Sequence, residues 1–113
     1  MRAVTRITFY SDDGEKFFGP GPARLLHAVE ETGSLRAAAN SMNMAYTKAL
    51  RIVRNAEAAL GFPLTERAAG GRDGGGSRLT SEGKEWLARY EAYQQECDRA
   101  CGAIYTARFA GGR

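Results

Sequence analysis

The side chains best placed to do chemistry in this 113-residue chain are cations rather than nucleophiles or metal ligands. Arg36, Lys48, Arg51, Arg54, Arg67, Arg72 and Arg78 fall between positions 34 and 79, where the only acids are Glu57, Glu66 and Asp73. Seven cations against three acids give that stretch +4, while residues 1–33 net −1 and residues 80–113 balance, so the whole chain carries +3. Such a local field attracts polyanions, and a pI near 9.1 is compatible with a nucleic-acid partner. The single histidine, His27, removes most metal and general-base chemistry. Cys97 and Cys101 stand four apart on one helical face, which leaves a zinc site incomplete unless a dimer shares four thiolates, so they read as buried seam cysteines. The glycine-rich stretch 68–77 lacks the Gly-x-x-x-x-Gly-Lys-Ser/Thr pattern of a nucleotide-phosphate loop. No two carboxylates are spaced for acid–base work, and no nucleophile has a histidine partner. No catalytic residue, metal ligand or cofactor is expected, and the chain is not expected to be an enzyme.

Length and composition bound the scaffold. A chain of this size suits one domain, spanning 1–113. No apolar run approaches the ~20 residues of a membrane helix, and the N-terminus lacks the apolar core of a signal peptide. Two cysteines suit a reducing compartment, so a cytoplasmic, nucleoid-associated protein with no membrane partner is expected.

The elements that must position the cations follow from local signals. Val4 to Tyr10 alternates and is rich in β-branched and aromatic residues, Asp12-Asp13-Gly14 is a turn, and Lys16-Phe17-Phe18 returns, so a β-hairpin is expected over 3–18. Residues 22–60 read as three helices. The first runs from Pro22 to Thr32, burying Leu25, Leu26 and Val29 and stopping at Gly33. Ser34 caps a short second helix from Leu35 to Met42, whose Ala37, Ala38 and Ala39 permit close crossing, and Asn43 takes the left-handed turn. The third spans Ala45 to Leu60, with Ala49, Leu50, Val53, Ala56 and Leu60 as a buried stripe and Thr47, Lys48, Arg51, Arg54 and Asn55 opposite. A second hairpin over 64–79 has glycines at its tip, and Thr80 caps a long helix over 81–107.

Helix, tight turn, basic helix, glycine-rich hairpin and helix, in that order, predict a mainly α protein with small β elements (α+β), a winged helix-turn-helix. In that architecture the start of the recognition helix meets base edges and the wing meets backbone. The expected partner is double-stranded DNA. Ala45, Tyr46, Thr47, Lys48 and Arg51 should face the major groove, with Arg54 on the same helix, while Ser34 and Arg36 meet phosphate and Arg67, Gly71, Arg72 and Arg78 serve the wing.

The same residues carry a family likeness. Gly33-Ser34-Leu35-Arg36-Ala37-Ala38-Ala39, followed by Met44-Ala45-Tyr46-Thr47-Lys48-Ala49, resembles the helix-turn-helix shared by LysR-type and ModE-type bacterial regulators. Pro63-Leu64-Thr65-Glu66-Arg67 and Leu79-Thr80-Ser81-Glu82-Gly83 continue it. The hairpin exit Phe18-Gly19-Pro20-Gly21 and the wing Gly70-Gly71-Arg72-Asp73-Gly74-Gly75-Gly76 favour the ModE type, the molybdate-responsive regulators. The resemblance implies DNA binding by a dimer and control of molybdate or related genes. ModE proteins usually carry C-terminal molybdate-binding domains, and no position here matches their oxyanion motif. No molybdate-sensing domain is therefore expected in the chain, which leaves molybdate or another oxyanion to a separate partner or to the dimer seam.

The last helix argues independently for a homodimer. Trp86, Tyr90, Tyr93, Cys97, Ala100 and Ile104 are spaced 4, 3, 4, 3 and 4, which keeps one seam facing a partner, and Tyr105 and Phe109 extend it. The expected interface is Trp86, Tyr90, Tyr93, Cys97, Ile104 and Tyr105, with the N-terminal part of the stripe also able to pack on the chain itself. A two-fold dimer implies a palindromic operator. The rival reading is a winged-helix interaction module that dimerises or docks partners without reading DNA.

Overall fold

The computed structural model describes residues 1–68 and 76–110. A short hairpin, β1 (Phe9–Tyr10) and β2 (Lys16–Phe18), leads into α1 (Pro20–Thr32), α2 (Leu35–Ser41) and α3 (Tyr46–Leu60). A second antiparallel hairpin, β3 (Thr65–Arg67) and β4 (Ser77–Leu79), precedes the long α4 (Ser81–Tyr105), and the chain unwinds into a wider π-helical turn over Thr106–Ala110. This is the mainly α winged helix-turn-helix architecture that the element order predicts.

Several helix boundaries have a local cause. α1 starts two residues earlier than the sequence suggests, because Pro20 lacks the N–H that a first turn leaves unpaired. It stops at Gly33, whose φ of 78° lets its N–H reach Val29 O at 2.8 Å. The Ala37 N–H donates to the Ser34 hydroxyl at 2.9 Å, so α2 begins as predicted. Asn43, at φ 54°, is the one positive-φ residue other than glycine among those described, and it forms the turn between α2 and α3. Gly61 ends α3 with the same left-handed geometry as Gly33.

The core lies where α1, α2 and α3 cross. Leu25, Leu26 and Val29 of α1 meet Leu35, Ala38 and Ala39 of α2 and Ala49, Val53 and Ala56 of α3, all buried. The alanines let the helices approach closely, as a tight helix-turn-helix requires. Leu64 and Leu79 extend the core beneath the second hairpin, and Phe18, Leu87 and Tyr90 extend it towards α4.

The N-terminal strand is much shorter than its composition suggests. Only Phe9 and Tyr10 pair with β2, and residues before them lie along α4 instead. The reason is a side chain that acts as a neighbouring strand. The Gln94 carboxamide accepts from Ile7 N and donates to Thr5 O, each at 2.9 Å, while Tyr90 Oη donates to Ile7 O at 2.8 Å. Thr5 also donates to the Asp98 carboxylate through its hydroxyl and its backbone N–H.

An aromatic cluster fastens the first hairpin to α4. Phe18 meets Trp86 and Tyr90 edge-on, with centroids 5.4 and 5.0 Å apart, and Phe9 stacks on Tyr93 at 5.9 Å. Such pairs contribute ~0.5–1.5 kcal/mol each beyond their burial. Packing of the N-terminal part of the α4 stripe on the chain itself is the arrangement that the sequence allows there. Tyr90 is buried in the chain's own core at 5% exposure, and Trp86 is half-buried against the hairpin, so the N-terminal part of the apolar stripe is covered intramolecularly. Beyond that point α4 keeps Tyr93, Ile104 and Phe109 of the terminal turn exposed, at 49, 63 and 70%. The long helix stretches the molecule to 61 × 30 × 25 Å. Among the described residues no helix is long and apolar enough to cross a membrane.

Candidate nucleic-acid interface

α3 presents its cations as a single ridge. With Ala49, Val53 and Ala56 turned inward, the helical period puts Thr47, Lys48, Arg51 and Arg54 on the outer side, all exposed. Among the described residues none of the three cations forms an ion pair with a carboxylate. No carboxylate among the described residues neutralises their charge, which is turned outward. Ala45 is the N-cap of α3 and contributes no side-chain bond there, so the first backbone N–H groups of the helix lack a side-chain cap.

Tyr46, expected to face the major groove, sits at the start of α3. It is half-buried, packs against the core and carries the Arg36 guanidinium 4.2 Å above its ring centroid. Arg36 itself is exposed in the first turn of α2, beside the capping Ser34. The α2 and α3 starts are thus joined by a cation–π contact that bridges ten positions of sequence.

The second hairpin stands beside α3, and three contacts fix it there. The Glu57 carboxylate on α3 accepts from Leu64 N at 2.8 Å and from Thr65 N at 3.4 Å. Ser77 N donates to Gly33 O at 2.8 Å, tying β4 to the end of α1. Thr80, buried at 4% exposure, donates its hydroxyl to Pro63 O at 2.7 Å and accepts from Gly83 N at 2.8 Å, which locks the hairpin to the start of α4. Sequence reasoning missed Glu57 as a positioning residue, since nothing local marks a carboxylate that caps a strand seven residues on.

Of the wing cations, Arg67 is exposed near the hairpin tip. Arg78 pairs across the strands with Glu66 at 3.0 Å, so part of its charge is met internally. Gly71 and Arg72 lie outside the described residues. On α4, Tyr105 is half-buried with its hydroxyl near Met1 O at 3.3 Å, and Cys97 and Cys101 are half-buried free thiols. His27 is exposed and pairs with Glu91, linking α1 to α4.

Residues 23–84, more than half of the chain, match the family of bacterial regulatory helix-turn-helix proteins of the lysR type. The chain belongs to that family. Among curated relatives, it is 39% identical over 80 residues to the molybdenum transport protein ModE of Azotobacter vinelandii, covering 67% of this chain and 30% of that protein. It is 30% identical over 84 residues to the transcriptional regulator ModE of Haemophilus influenzae, covering 74% of this chain and 33% of that one. The chain therefore spans about a third of the length of these relatives. Among solved structures, it resembles a CbnR_DBD–DNA complex with a TM-score of 0.58 and 25% identity, covering 77% of this chain and 94% of that one. A BenM_DBD/benA site 1 DNA complex gives a TM-score of 0.55 and 28% identity, covering 82% and 97%.

Proposed function

We propose that this chain binds double-stranded DNA sequence-specifically as a transcription regulator of ModE-like type, and that it acts in the cytoplasm as a homodimer on a palindromic operator. The observation that carries the reading is the α3 ridge, where Lys48, Arg51 and Arg54 are exposed and lack ion-pair partners among the described residues. A helix of this kind fits the major groove, its first turns against base edges and the adjoining wing against backbone. Membership of a regulatory helix-turn-helix family and likeness to domains solved on DNA support the same reading. The exposed apolar residues along the far half of α4 support the dimer, which would set two recognition helices about 34 Å apart. The ModE relatives make genes of molybdenum handling the first targets to examine.

Selection of bound duplexes from a random-sequence pool, followed by affinity measurements across a salt series, tests the proposal. Enrichment of an inverted repeat, with log affinity falling linearly against log salt, is the expected result. Failure to enrich any sequence, together with salt-insensitive association, would overturn it and leave a module that docks proteins.

A further inference from the structure

The first residue of the recognition helix holds an arginine. Tyr46 lines the groove between α3 and the wing with Leu35, Arg54 and Arg67, and its ring carries the Arg36 guanidinium at 4.2 Å. A guanidinium on an aromatic face is attracted by the ring quadrupole without being neutralised. Among the described residues no acceptor engages its in-plane N–H donors, unlike those of Arg78, whose Nε is engaged by Glu66. No carboxylate among the described residues forms an ion pair with Arg36.

We infer that Tyr46 is a positioning residue, which holds Arg36 as a preset phosphate clamp beside the start of α3 and does not itself read a base. The inference rests on the DNA-binding reading and deepens it. A free arginine loses side-chain freedom when it meets a phosphate, whereas a stacked one has lost it already during folding, so more of the contact appears as affinity. Because phosphate contacts carry no sequence information, this pair adds affinity and register without changing which bases are preferred.

The test uses duplexes selected from a random pool and four variants: Arg36→Ala, Tyr46→Leu, Tyr46→Phe and Arg36→Ala with Tyr46→Leu. Arg36→Ala should weaken binding about tenfold and flatten the salt slope by about one. Tyr46→Leu keeps an apolar side chain but loses the ring, and should weaken binding about fivefold with Arg36 present and less than about twofold with Arg36 absent. Tyr46→Phe restores the aromatic face and should recover most of the loss. Equal cost of Tyr46→Leu in both backgrounds, or a changed base preference on reselection, overturns the inference.

Should Tyr46→Leu fail to fold in circular-dichroism melts, the free protein still decides. Arg36 side-chain protons must show an upfield ring-current shift that persists in Tyr46→Phe, and its absence overturns the stack. Wild-type protein without salt-dependent duplex binding would sink the DNA reading itself. Wild-type binding that Arg36→Ala leaves untouched would sink only this inference.

Discussion

Gly83 lies directly against the Leu64 carbonyl: a Cβ built on Gly83 would overlap that oxygen and approach the Leu64 Cα to 3.1 Å. The contact sits where the wing meets α4, next to the Thr80 hydroxyl that accepts from the Gly83 N–H. Glycine is required here by close approach of two backbones, because its own conformation is helical.

Gly83→Ala should therefore destabilise the fold even though alanine is the better helix former. Overpacking of about 1–3 kcal/mol exceeds the gain of about 1 kcal/mol in helix propensity. Denaturant unfolding should show a lowered midpoint with little change in slope, and a midpoint at or above wild type would remove the close-packing account.

Much of this scaffold is legible in sequence because its causes are local. Gly33, Ser34, Asn43, Gly61 and Thr80 each start, stop or turn a helix through their own conformation or a bond within four residues, as their types and positions suggest. The joints between elements are another matter. No local signal marks Gln94 and Asp98, which clasp Thr5 and Ile7 from about ninety positions away. The spacing of Trp86, Tyr90 and Tyr93 correctly marks an apolar face of α4, but periodicity cannot say whether a second chain or the chain's own hairpin covers it. Phe9 and Phe18 supply the cover at Trp86 and Tyr90. In the candidate interface, the exposed cations of α3 follow from the helical period alone, whereas the Arg36–Tyr46 stack depends on how tightly the turn at Asn43 brings two helices together.

Reversing the ridge separates binding from folding. Lys48 and Arg51 are exposed and unpaired among the described residues, so Lys48→Glu with Arg51→Glu should leave thermal stability within about 0.5 kcal/mol of wild type. Affinity for sheared genomic DNA should fall by at least about a hundredfold at low salt, and the salt slope should drop by about two as two phosphate contacts are lost. Undiminished binding in electrophoretic shifts would show that α3 is not the recognition helix.

The N-terminal clasp should respond to acid. The side-chain hydrogen bond from Thr5 holds the Asp98 carboxyl below its ordinary value of 3.8, with smaller help from the Thr5 N–H, Gln94 and the charge of Arg6. A carboxyl lowered in the folded state binds fewer protons there than in the unfolded chain, so its contribution is present above 3.8 and is lost as pH falls below it. Residues 1–8 should therefore loosen from α4 as pH drops below that value. Asp98→Asn should show part of the same loosening at neutral pH. Hydrogen exchange at the Thr5 and Ile7 amides reports it, and exchange in Asp98→Asn at neutral pH as slow as in wild type would refute this role for the carboxylate.

The far half of α4 supplies the sharpest test of the proposed dimer. Tyr93 and Ile104 leave about half or more of their surface exposed on a helix that the N-terminal segment touches at Gln94, Asp98 and Tyr105, and Phe109 adds to the same apolar surface. If this stripe meets a second copy, a carboxylate placed on it must be buried without a partner, which costs several kcal/mol per site and counts twice across a two-fold axis. Ile104→Glu should therefore raise the dimer dissociation constant by at least about a hundredfold. Ile104 lies far from the core formed by α1, α2 and α3, so the unfolding midpoint measured at low concentration should barely move. Sedimentation equilibrium separates the outcomes. Wild-type protein should be dimeric at micromolar concentration and Ile104→Glu monomeric, with DNA binding reduced to the weaker, half-site mode. A monomeric wild type, or an Ile104→Glu variant that still dimerises, would mean that this surface is not where two copies join.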